Sequence, residues 1–108
     1  GRAEAEARAH ELTRAALEAR IRAEIRGALR ALDEASRGRA RSLELYERVT
    51  PDLLDRAFRA YEAGVFSVAE VLDALEGLWE ARKALLETEK NLALARIELI
   101  RAAALRGE

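Results

Sequence analysis

An all-α fold is predicted for this chain, a long antiparallel helical hairpin of coiled-coil type that self-associates, on three observations. Ala, Glu, Arg and Leu dominate while aromatic residues make up 5% and proline occurs once, the profile of long helices rather than of a mixed core. Apolar residues recur at steps of three and four along most of the 108 residues. One strong stop-and-start signal interrupts them, between Tyr61 and Ala74.

The first helix is expected over about residues 2–63. Its stripe reads Leu17, Ile21, Ile25, Ala28, Leu32 and Ala35, and resumes after Arg39 with Leu43, Tyr46, Val49, Leu53, Ala57 and Tyr61. Gly27 and Gly38 weaken it by up to ~1 kcal/mol each relative to alanine, without other stop signals to end it. At Thr50-Pro51-Asp52 two readings exist. Pro51 opens a new helix capped by Thr50, or it kinks a continuous one at the loss of a hydrogen bond. The stripe runs through in phase, which favours the kink.

The reversal follows. Gly64 enters the left-handed conformation without a Cβ clash and so ends the helix. Ser67 starts the next one, and Glu70 three places on completes a capping box. Phe66 and Val71 hold the two positions of a hydrophobic staple. Only Val65 and Phe66 separate stop from start, so the helices fold back antiparallel.

The second helix is expected over about residues 68–105. Its large residues include Val68, Val71, Leu72, Leu75, Leu78, Trp79, Leu85, Leu86, Leu92, Ile97, Leu99 and Ile100. A second stripe is small: Ala74, Gly77, Ala81, Ala84, Thr88, Ala95 and Ala102. Two apolar faces imply packing on more than one side, with the small stripe admitting a close neighbouring helix. Folding about the turn sets Leu53 opposite Leu78, Tyr46 opposite Leu85 and Leu32 opposite Leu99. Residues 1–25 then overhang by about 37 Å at 1.5 Å per residue. The overhang carries Leu12, Leu17, Ile21 and Ile25, an unpaired stripe that seeks another copy of the chain or a further segment. Dimer, trimer and tetramer all remain open.

Composition narrows the function classes. Lys+Arg is 19 and Asp+Glu is 20, so no basic face invites nucleic acid. Without cysteine there is no disulfide or thiolate chemistry. No apolar run reaches the ~20 residues of a membrane span. The start at Gly1 and the lack of Met suggest a piece of a longer protein, and only Lys83 and Lys90 of the basic residues are lysine, which points to a natural GC-rich gene.

The chemistry of sites is sparse. His10-Glu11 begins like a zinc-protease motif, but Arg14 stands where the second histidine belongs, leaving a lone surface histidine. No phosphate loop, nucleophile elbow or metal cluster is present, so neither an enzyme nor a cofactor is expected. Glu70 and Asp73 share a helical face past the reversal. They form a carboxylate constriction if several copies surround a channel, or they are simply acids at a helix N-terminus with Glu70 as a cap. Val65 and Phe66 are staple or partner-touching tip, with Val65 the freer of the two. Arg82, Glu89 and Arg96, seven apart, suit a solvated face or inter-helix ion pairs.

The order Ala60-Tyr61-x-x-Gly64-x-x-Ser67 followed by Val71-Leu72-Asp73-Ala74 resembles the hairpin signature of outer-membrane efflux proteins, the TolC-like channels. Leu78, Ala81-Arg82, Leu85-Leu86 and Leu92-Ala93-Leu94-Ala95 continue the similarity to about Leu105, and Leu45-Tyr46-Glu47 with Pro51 extend it upstream. The resemblance covers residues 43–105 and is compositional before that. It implies the C-terminal periplasmic hairpin of a trimeric channel with a twelve-helix α-barrel, belonging to a protein of the outer membrane. It further implies that Gly64, Val65, Phe66 and Ser67 contact a periplasmic adaptor protein, and that Glu70 and Asp73 lie near the constriction. Metal, drug and protein exporters all fit. The competing reading is a structural, scaffolding or designed coiled-coil assembly with no transport role.

Overall fold

The computed structural model describes residues 1–107. It contains two α-helices, α1 (Arg2–Glu62, 61 residues) and α2 (Val68–Gly107, 40 residues), and no strand among the described residues. The chain divides into two compact units. One joins Glu34–Ala93; the other joins Gly1–Asp33 to the segment from Leu94 onward.

The Glu34–Ala93 unit is an antiparallel hairpin. Its α2 part turns Val71, Ala74, Leu78, Leu85, Thr88 and Leu92 inward. These alternate by three and four (counting through Ala81), the pattern of a coiled-coil seam. The facing part of α1 supplies Tyr46, Thr50, Leu53, Ala57 and Ala60. Leu85 is 1% exposed and Ala57 2%. Large residues from one column and small ones from the other allow the helices to interlock. The small stripe is split: Ala74 and Thr88 are half-buried at the seam with α1, while Gly77, Ala81 and Ala84 are exposed. Two cross-helix contacts set the register. The Arg39 guanidinium lies 3.9 Å from Glu89, and Arg82 sits over the Tyr46 ring at 5.7 Å from its centroid. Both fall within a turn of the predicted register.

Helix α1 runs unbroken through Pro51. The inward positions differ from the predicted stripe there, because Val49 and Tyr61 are exposed while Thr50 and Ala60 take their places. The cause is a double step of four, Ser42–Tyr46–Thr50. A straight helix drifts about 20° per heptad from a strict seven-residue repeat, and an inserted step of four resets the seam. The reset leaves the Thr50 hydroxyl buried with no hydrogen-bond partner. Thr50→Val is expected to raise stability by about 1 kcal/mol, since an unsatisfied buried hydroxyl is removed at nearly constant shape. Urea denaturation measures this; a loss of stability would mean that the hydroxyl is bonded.

In the other unit the outer parts of the same helices lie side by side. Ile21, Ile25, Ala28 and Leu32 are half-buried, as are Ala95 and Leu99, and Ala102 is buried. Residues 1–20 are exposed throughout. Along this stretch Arg2–Glu6, Arg14–Glu18 and Arg20–Glu24 form ion pairs one turn apart at 3.4–3.6 Å. Each contributes about 0.2–0.5 kcal/mol to helix formation. No helix among the described residues is long and apolar enough to cross a membrane.

Candidate functional site

The turn is built as the residues predicted. Gly64 has φ 76°, in the left-handed region. Its N–H donates to the Tyr61 carbonyl at 3.0 Å, and the Val65 N–H donates to the Ala60 carbonyl at 2.8 Å. Those two bonds are a complete Schellman motif, which satisfies carbonyls the helix end would otherwise orphan. The Phe66 N–H adds a further bond to the Ala60 carbonyl at 3.0 Å. On the far side the Glu70 N–H donates to the Ser67 hydroxyl at 3.3 Å, and the Ser67 N–H donates to the Glu70 carboxylate at 3.4 Å. This reciprocal pair is the capping box. Phe66 and Val71 are both half-buried at the staple positions, while Val65 is 71% exposed at the apex.

The four tip residues are thus contiguous and rigidly held, with Val65 presented outward. Glu70 is engaged as a cap. Asp73 is exposed one turn on, without an ion-pair partner among the described residues. The surroundings are acidic. Between Pro51 and Glu80 seven carboxylates stand against two arginines. Both arginines are taken up within α1, Arg56 by Asp52 at 3.0 Å and Arg59 by Asp55 at 3.2 Å. A partner that touches this end is favoured if it is cationic.

The hairpin has two unlike sides. In an antiparallel pair a two-fold axis perpendicular to both helices relates them, so corresponding seam positions flank the same side. Taking Thr50 and Ala57 as leading seam positions in α1, and Val71, Leu78 and Leu85 in α2, the residues one and four places later define one side. That side carries Leu54, Phe58 and Tyr61 from α1 and Leu72, Leu75, Trp79 and Leu86 from α2, with Val68 at its lower end. All but the half-buried Leu54 are exposed, Trp79 at 59%. The opposite side carries Glu70, Asp73, Gly77, Glu80, Ala84 and Glu87, all exposed. Glu70 and Asp73 therefore share a polar face, and the apolar face lies across the hairpin from them.

Sequence reading counted Leu72, Leu75 and Trp79 among one stripe of large residues and did not separate them from the seam. Spacing of seven does separate them. Val71, Leu78, Leu85, Leu92 and Leu99 form one column, and Leu72, Trp79, Leu86, Ala93 and Ile100 form another. Arg82 and Glu89, expected on a solvated face or in inter-helix pairs, reach across to α1 on the same side, flanking Leu86 along the helix. His10 is exposed on α1. No family model, curated protein or solved structure matches the chain.

Proposed function

We propose that this chain is a periplasmic hairpin of a TolC-like outer-membrane efflux channel, a wall element of an α-barrel that conducts exported substrates and docks an adaptor protein at its tip. One observation carries the reading: α2 bears two apolar columns, one packed on α1 and one open to a neighbour, directly beside a tightly capped turn. A barrel-wall helix needs both columns, because it has a neighbour on each side. The pattern Ala60-Tyr61-x-x-Gly64-x-x-Ser67 around that turn supports the same assignment. So does the acidic, outward-facing Val65 end, which suits a cationic adaptor tip.

The second reading is a structural coiled-coil assembly without transport. It is favoured by the area left open. The surface is 8653 Å² for 12.0 kDa, against roughly 6,000 Å² for a compact monomer of that mass. The two readings differ at the tip. Titration onto the immobilised helical hairpin of a periplasmic adaptor encoded with the chain separates them. The export reading expects saturable binding that Val65→Asp weakens about tenfold, some 1.4 kcal/mol, with helicity unchanged. Leu45→Asp, at an exposed site away from the tip, leaves it intact. No saturable binding by the unaltered chain, or equal losses from both variants, would favour the scaffold.

A further inference from the structure

We propose that two copies of this chain pair antiparallel through the outer column of α2, with Trp79 of each copy packed together and Glu76 of each copy ion-paired to Lys83 of the other. The inference concerns the chain on its own, where the outer column that the export reading gives to a barrel neighbour is open, and every residue it uses lies in the Glu34–Ala93 unit.

Leu72, Trp79 and Leu86 are spaced by seven. The column is therefore symmetric about Trp79, and a two-fold axis there lays Leu72 of one copy on Leu86 of the other. Closed pairs of this kind are isologous, so each contact occurs twice. The rim beside the column has the same symmetry but opposite charges at its two ends, Glu76 and Lys83. Antiparallel pairing brings each glutamate to a lysine. Parallel two-fold pairing through the same column would turn this rim against the other rim of the partner, setting Lys83 beside Arg82 and Glu76 beside Leu75, so neither ion pair would form. Among the described residues Glu76 has no ion-pair partner. The Lys83 ammonium rests 6.0 Å from the Trp79 ring centroid and 2.8 Å from Glu80, held at the rim with 48% of its side chain exposed. It is thus preorganised beside the column, with room for a second carboxylate.

The chain has no cysteine, so single introduced thiols report the arrangement. Leu72→Cys and Leu86→Cys variants are mixed and mildly oxidised, with helicity checked by circular dichroism. The pairing predicts a disulfide between the two different variants, enriched about tenfold or more over either variant linked to itself, because only facing positions meet bonding geometry. Self-linked Leu72→Cys as the main product would show parallel packing and overturn the proposal. So would a monomer by sedimentation of the unaltered chain up to about 1 mM, the weak limit of measurable affinity. The charges are tested separately. Glu76→Lys weakens dimerisation about tenfold and Glu76→Lys with Lys83→Glu restores it; indifference to the swap would also contradict the pairing. None of these results bears on adaptor binding at Val65, so the two proposals fail separately.

Discussion

Leu85→Ala is expected to lower the unfolding free energy by about 2–4 kcal/mol, the cost of deleting a buried leucine and leaving part of the cavity open. Among the described residues Leu85 is the one large side chain that is fully buried. Within its unit only Ala57 and Leu92 join it in the buried class, so the hairpin there has a narrow seam with little apolar area in reserve. Helices alone gain little from propensity, and packing of this seam is what holds them. A fall in the thermal midpoint and in the urea midpoint measures the effect. Leu86→Ala next door supplies the contrast. Leu86 is 44% exposed in the outer column, and its truncation should change monomer stability by under about 1 kcal/mol. Equal losses from the two variants would mean that inner and outer columns have been assigned wrongly.

Gly64→Ala is expected to cost about 1–2 kcal/mol. The reason is conformational rather than steric crowding by neighbours. At φ 76° an alanine strains against its own carbonyl, although a Cβ built there meets no other atom within 4 Å. Gly64→Asn should recover much of the loss, because asparagine tolerates the left-handed region. Denaturation of the three proteins side by side gives the order glycine, asparagine, alanine. Alanine as stable as glycine would contradict the Schellman turn.

The hairpin was legible because its signals are local. A left-handed glycine, a serine cap and a glutamate three residues later act within a few bonds, and no distant part of the chain overrides them. The helix limits followed from the same signals, with α1 ending at Glu62 and α2 beginning at Val68. What escaped was rotational. Val71 and Leu72 are adjacent in the chain and equally apolar, yet one faces α1 and the other faces away. Step-of-three-and-four counting accepts both, and only the strict seven-residue columns distinguish them. The swap of Val49 for Thr50 has a similar origin. Hydrophobicity favours the valine, while the accumulated drift of a straight helix turns the threonine inward. The small stripe divides between two faces, Ala74 and Thr88 toward α1 and Gly77 and Ala84 away from it, because size alone does not say which neighbour needs the room.

The assignment of Glu70 also sharpened. Both its carboxylate and its N–H are committed to Ser67, so a role in a constriction would compete with capping. Asp73 carries no such commitment.

On both proposals the face bearing Leu72, Leu75 and Trp79 is the surface through which this chain meets another protein. Trp79 is the one tryptophan in the sequence and sits in the middle of that face. Its fluorescence emission, followed across a dilution series alongside sedimentation, reads that contact. Emission is expected to move to shorter wavelength, and quenching by iodide to fall, over the same concentration range in which the chain associates. Association with Trp79 still emitting and quenching as a water-exposed indole would show that a different surface makes the contact.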